Sequence, residues 1–244
     1  MSEQRTAIVT GAGQRVGAEI ARALVEDGWT VLAHVRGDDD SVPAGTIKVA
    51  ADLAEPDCAG RIFAGAQGRP PVRLLVNNAA RFAWDDLGAF DTAELDSHMA
   101  VNVRAPLLLT QALASIHDGL ADAMIVNLLD AKLAAPNADF LSYTLSKQAL
   151  AGLTHIAART LAPRGIRVNG IAPALMLRSA GQSEENFVEM SQANPLRRAV
   201  KPGDVVAALR YLITSPAVTG EVLTIDGGQR FWSLERDVQF LERR

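Results

Sequence analysis

The chain has 244 residues, 48% of them apolar and 21% charged, with a net charge of −4. That composition describes an ordinary globular protein with a large core, and it gives no reason to expect nucleic acid or an anionic membrane as partner. One cysteine, Cys58, rules out an internal disulfide and suits a reducing cytoplasm, and the opening MSEQRTAIVT has no basic n-region or long apolar core of a leader.

Residues 6–10 (TAIVT) form a β-branched apolar run that stops at a glycine turn. A helical pattern follows over 16–27, with Ile20, Leu24 and alanines inward and Gly28 as its stop. Strands are expected at 29–35 and 46–50, then a helix over 54–67 with Pro56 in its first turn. A fourth strand covers 72–77, and 91–117 holds one or two helices that Pro106 kinks or interrupts. The fifth strand spans 123–129, a long helix 139–161, and the sixth strand 166–171. A helix over 202–214 and a last strand over 221–225 lead into Asp226-Gly227-Gly228. Strands alternating with helices imply crossover connections, hence a doubly wound parallel sheet of about seven strands with helices on both faces. No linker or repeat divides it, so 1–244 reads as a single domain. The histidines His34, His98, His117 and His155 are scattered without ligand spacing, so no metal site is expected. No uninterrupted apolar run approaches the ~18 residues of a membrane span.

Two motifs carry chemistry. The turn 10–17, Thr-Gly-Ala-Gly-Gln-Arg-Val-Gly, stands between the first strand and first helix, where a dinucleotide pyrophosphate rests on helix N-terminal amides. The second strand ends at His34-Val35-Arg36 with no Asp or Glu for a ribose 2′-hydroxyl; Arg15 and Arg36 instead suit a 2′-phosphate, which points to NADPH. The plain alternatives are an empty βα loop and a solvated Arg36. The second motif is Asp130 at the end of strand five, followed by Tyr143 and Lys147 on one helix face. A cation near a phenol lowers its pKa from about 10 toward neutrality, giving a usable proton donor. The plain alternative is an incidental Tyr and Lys on a partly exposed helix.

With Asp52-Leu53, Asn77-Asn78-Ala79, Asn102, Tyr143-x3-Lys147 and Asp226-Gly227-Gly228 in this order, the chain resembles the short-chain dehydrogenase/reductases over essentially its whole length. Within that Rossmann-like family it looks most like the pteridine and dihydromonapterin (dihydrofolate) reductases. Arg15 inside the glycine turn, Arg36, Phe82 after Asn-Asn-Ala, and Asp130 where most of the family has serine carry the narrower likeness. The resemblance implies cofactor contacts from Gly11, Gln14, Arg15, Val16 and Gly17, from His34, Arg36, Asp52 and Leu53, and from Asn78, Ala79 and Ala80. It adds Tyr143, Lys147, Pro173 and Leu175 around the nicotinamide ribose and ring. Asp130, Tyr143, Lys147 and Asn102 would be catalytic, with Asn102 fixing a helix kink and an active-site water. Arg15, Phe82, Asp130, Tyr143, Leu175 and Met176 would meet a pterin- or folate-like substrate. The simpler readings are core packing for Phe82, an ordinary helix amide for Asn102 and a loop cap for Asp130.

Asp130 decides between substrate classes. A serine donates a hydrogen bond to a carbonyl oxygen; an ionised carboxylate only accepts and would repel developing alkoxide charge. It is better matched to a ring that presents N–H donors, so the expected reaction is hydride transfer from NADPH to a C=N carbon of a dihydropterin. A carbonyl reductase and a catalytically silent nucleotide-binding regulator are the alternatives. Some positions depart from the resemblance: Ala80 replaces a serine, and Pro173-Ala174-Leu175-Met176-Leu177 lacks the common Pro-Gly. Residues 178–194 are polar without a clear period, as a substrate lid would be. The tail 229–244, with Phe231, Trp232, Leu234, Val238, Phe240 and Leu241, holds too many apolar groups for a free end, so it is expected at a subunit interface. The resembling enzymes are usually homotetramers built partly through the helix bearing Tyr143.

Overall fold

The structure, a computed structural model, describes residues 4–178, 182–232 and 234–241. Seven strands, β1 (Thr6–Val9), β2 (Thr30–Val35), β3 (Ile47–Ala50), β4 (Val72–Asn77), β5 (Ala123–Leu128), β6 (Ile166–Pro173) and β7 (Val222–Ile225), form one sheet in the order 3-2-1-4-5-6-7. Every pairing is parallel. Parallel strands covered on both faces bury successive side chains in opposite directions, which is why the strands read as continuous apolar runs. In β1, Ala7 and Val9 enter one core while Ile8 enters the other.

Helices α1 (Arg15–Glu26) and α7 (Pro202–Thr214) close the first core through Ile20, Leu24, Val205 and Leu209. On the opposite face α2 (Cys58–Ala64), α4 (Ala105–Ile116) and α5 (Leu141–Leu161) contribute Ile62, Leu109, Leu113 and Ala157. Helix α3 (Thr92–Met99), capped by the Asp91 carboxylate on Ala93 N–H, runs into α4 through one wide turn, Ala100–Arg104. The interruption expected of Pro106 is this turn: proline has no N–H for the carbonyl of Asn102 four residues back, and the ladder re-forms with wider spacing. By length and composition the continuous rod Thr92–Ile116 is apolar enough to cross a membrane, which the sequence expectation did not allow for. Its Leu109 and Leu113 are fully buried against the sheet, as a core helix requires.

Three element boundaries differ from expectation for local reasons. Helix α2 is shorter than 54–67 because the Asp52 carboxylate takes Ala54 N–H (2.8 Å) in a turn of its own, leaving Pro56 ahead of the helix. Helix α5 begins at Leu141 rather than 139, after Phe140 in a left-handed conformation (φ 58°). The stretch expected to lack periodicity contains α6 (Glu184–Ser191), started by Ser183 capping Asn186 N–H (3.1 Å) with Glu184 and Glu185 in its first turn. Residues 179–181 of that stretch lie outside the described residues. The chain winds outward from β1 to β3 and returns to β4 on the other side of β1. That reversal opens a crevice beyond the carboxyl ends of the strands.

Candidate active site

The crevice is a cleft of ≈1010 Å3. Its first end is built on the glycine turn. Gly11 has φ +64°, and an added Cβ there would lie 3.0 Å from Ala79 Cα. A Cβ on Gly17 would overlap Gly11 O and approach Asn78 Nδ2 to 2.5 Å, so the turn folds only with glycine at 17. Asn78 braces it, donating from Nδ2 to Thr10 O (2.8 Å) and Gly11 O (3.2 Å), while Thr10 Oγ1 accepts from the N–H groups of Asn78 (2.9 Å) and Ala79 (3.0 Å). His34 is a second brace: Nδ1 accepts Gly11 N–H (3.2 Å), which leaves Nε2–H to donate to Ala51 O (2.9 Å). Burial lowers its pKa, so the ring stays neutral. Both ring nitrogens are engaged, which makes His34 a strut behind the cleft wall rather than a free hydrogen-bonding group.

Gly11, Gln14, Arg15, Val16, Gly17, Arg36, Asp52, Leu53, Asn78, Ala79 and Ala80 line this end together with His34. Arg15 occupies a left-handed position (φ 53°), and its guanidinium donates to Arg178 O (3.4 Å). Among the described residues neither Arg15 nor Arg36 has a carboxylate partner, while Asp40, also on the wall, accepts Gly37 N–H (2.9 Å). Guanidiniums without a counter-charge beside a helix N-terminus make a donor set that fits a phosphorylated nucleotide.

The other end is built on β5 and α5. Asp130, just past β5, accepts Lys132 N–H on Oδ1 (2.8 Å) and the Tyr143 hydroxyl on Oδ2 (2.9 Å). Lys147, one turn along α5, donates to Leu128 O (2.6 Å), its ammonium 5.7 Å from the Tyr143 ring centroid. Burial lowers the Lys147 pKa to about 8, and burial raises that of Asp130. The expected acidification of Tyr143 is overturned. Desolvation, and then the facing Asp130 carboxylate, push its pKa well above the ordinary value, so the phenol is protonated and donates its hydrogen bond to Asp130.

Asn102 sits in the wide turn between α3 and α4. Its Oδ1 accepts Arg81 N–H (2.7 Å) and its Nδ2 donates to Arg81 O (3.0 Å) and Ser146 Oγ (2.9 Å). The side chain pins the loop after β4 to α5. Phe82 combines both of its readings. It stacks on Phe140 (4.3 Å, 19°) and meets Tyr143 edge-on (4.7 Å), yet stays 47% exposed on the cleft wall. Past β6, Ala174 and Leu175 line the cleft, whereas Pro173 is buried in the strand. Met176 turns away into the first core, contrary to its expected substrate contact. β6 ends by pairing Pro173 with Ile225, and in the irregular chain beyond it Ala174 and Leu175 face the cleft while Met176 packs, partly buried, against the first core.

The sequence reading missed Lys132, Leu234, Asp237 and Val238, all on the cleft wall. The tail expected at a subunit interface folds back on its own chain, with Phe240 stacked on Phe140 (6.0 Å, 16°). Its aromatics were the available signal, but nothing local says which surface they cover. Asp85 was missed too: its carboxylate accepts Ser142 N–H (3.0 Å) and the Ser142 hydroxyl, capping α5 from a distant loop where the helix has no side-chain cap of its own.

A family model described as Enoyl-(Acyl carrier protein) reductase matches residues 11–230. Among solved structures, FolM alternative dihydrofolate reductase 1 from Brucella suis, in complex with NADP, aligns at a TM-score of 0.87 and 33% identity, covering 95% of this chain and 97% of that one. Galactitol 2-dehydrogenase (L-tagatose-forming) of Cereibacter sphaeroides is 30% identical over 93% of this chain and 95% of that protein. Dihydromonapterin reductase of Klebsiella pneumoniae is 27% identical over 94% and 99%. The family match runs from the glycine turn to Arg230, and the chain belongs to the short-chain dehydrogenase/reductase family of oxidoreductases.

Proposed function

We propose that this protein is an NADPH-dependent reductase of a C=N bond in a pterin- or dihydrofolate-type ring. The observation that carries the reading is the buried Tyr143–Asp130 hydrogen bond (2.9 Å) at the far end of a cleft whose near end offers two uncompensated arginines. Arg15 and Arg36 would hold the 2′-phosphate, the 11–17 backbone the pyrophosphate, and Lys147 the nicotinamide ribose. A nicotinamide held there would supply the hydride for the ring carbon. Tyr143 gives its phenolic proton to the adjacent nitrogen, so one hydride and one proton together saturate the bond. Lys147, charged below pH about 8, stabilises the phenolate left behind. Asp130, whose raised pKa suits it to take up a proton, returns one to Tyr143. As an acceptor it also meets ring N–H donors. Phe82, exposed on the wall, supplies a flat face for the heterocycle.

The relatives named for a dehydrogenase of galactitol and for dihydromonapterin reductase are similarly close to this chain, which supports ketone reduction as the second reading. NADPH oxidation with dihydrofolate separates the two. The wild type turns it over, and Asp130→Ala reduces kcat at least about 10²-fold; a variant as active as wild type removes Asp130 from the reaction.

We also propose a homotetramer assembled partly through the outer face of α5, where Leu145 and Ile156 are exposed. A solution mass equal to one chain contradicts it. A cytoplasmic setting accords with the buried thiol of Cys58.

A further inference from the structure

Asp139 touches neither the reacting pair nor the glycine turn, yet its side chain is only 2% exposed and crowded with donors. Arg236 grips it with Nε on Oδ2 and Nη2 on Oδ1, both at 2.8 Å. Asp237 N–H adds a bond to Oδ2 (2.8 Å), and Trp84 Nε1 one to Oδ1 (3.3 Å). The partners come from the loop after β4 and the C-terminal segment, and Asp139 itself stands on the approach to α5. One carboxylate therefore gathers three stretches far apart in the chain.

We propose that Asp139 and Arg236 form a latch that holds segment 234–241 as a wall of the substrate end of the cleft, making both of them positioning residues for substrate. The latched segment presents Leu234, Asp237 and Val238 to the same cleft as Asp130 and Tyr143. Lys132 ties it to the reacting pair: its N–H bonds Asp130, and its ammonium reaches Asp139 O (2.5 Å) and Asp237 Oδ2 (3.3 Å). Phe140, next to Asp139, stacks on both Phe82 and Phe240, so the aromatic wall on which the ring would lie is set by the residue adjacent to the one that anchors the latch. At the far end Asn186 Nδ2 holds Leu241 O (2.7 Å). Among the described residues Asp139 and Arg236 make no hydrogen bond to Gly11–Gly17 or Arg36; Asn186 connects to Arg15 only at a distance, through Gln182 and Arg178. Loosening the latch therefore removes a substrate wall and leaves the nucleotide end intact.

This rests on the reading of the Tyr143–Asp130 end as the substrate end, and the test keeps the two apart. Arg236 is half-exposed, so Arg236→Gln in the full chain opens the latch without burying a new group. The KM for dihydrofolate is expected to rise about tenfold with kcat changed less than about twofold. The NADPH Kd stays as in wild type. Arg236→Lys restores part of the loss, because an ammonium keeps one of the two bonds. Asp139→Asn combined with Arg236→Gln adds little to the single change, as expected of partners in one contact. An unchanged KM, or an equal rise in the NADPH Kd, overturns the latch. If the wild type leaves dihydrofolate untouched, the substrate reading fails and the latch is judged without substrate. Faster hydrogen exchange at the Asp237 and Phe240 amides in Arg236→Gln then supports it, and unchanged exchange overturns it.

Discussion

The nucleotide end of the cleft is made of main chain, whereas the substrate end is made of side chains. At the first, Gly11 and Gly17 let the turn close, and Thr10, His34 and Asn78 spend their polar atoms bracing it, while Arg15 and Arg36 stand on the cleft wall. At the second, Asp130, Tyr143, Phe82 and the 234–241 segment come from four separate stretches and meet only in the folded chain. The difference teaches where each kind of change should be felt. A main-chain cradle tolerates substitution of its rim with graded loss of affinity. A side-chain constellation fails at once when a reacting atom is removed.

The largest effect expected on that account is at the substrate end. Tyr143→Phe deletes the proton donor and should lower kcat by about 10²–10⁴-fold with the NADPH Kd within about threefold of wild type, read by stopped-flow and titration. An equal collapse of nucleotide binding would dissolve the distinction between the ends. At the nucleotide end, Arg36→Ala should weaken NADPH by about 2 kcal/mol, one charge-assisted contact, while leaving NADH binding unchanged. Equal loss of both nucleotides would contradict a 2′-phosphate role.

Lys147 sharpens the comparison, since it joins the two ends. Its pKa of about 8 in the folded chain means its charge disappears above that pH, so kcat/KM for NADPH should fall about tenfold per unit there. Stability runs the other way. Between about 8 and the usual lysine value the unfolded chain binds the proton that the folded one has lost, so stability rises with pH across that window. Denaturant midpoints at pH 8 and 10 measure this, and Lys147→Met should flatten the slope. The smallest expected effect is Asp85→Ala, which uncaps α5 at a cost of about 1 kcal/mol and a Tm lower by about 2–4 °C.

The same contrast explains how much the sequence disclosed. The glycine turn, the parallel sheet implied by alternation and the Tyr143–Lys147 spacing are local patterns, and the structure has them where the residues say. Helix α6 was legible as well, since Ser183 followed by Glu184 and Glu185 is a helix start, but the polar character of 178–194 hid it. The rest depends on distant partners. The acidity of Tyr143 reverses because Asp130 approaches it through the fold and water is excluded, whereas the Lys147 spacing alone argues for a lower value. Asp139, Asp85 and the tail show no periodicity at all, because their partners are 97, 57 and about a hundred residues away.

The central claim is that a carboxylate beside the phenol commits this cleft to a nitrogen heterocycle. Its most direct test is the ratio of kcat/KM for dihydrofolate to that for a small ketose, measured with NADPH in wild type and in Asp130→Ser. The account predicts a wild type that prefers dihydrofolate and a variant whose ratio falls by at least about 10²-fold. A wild type that reduces the ketose and ignores dihydrofolate would contradict it.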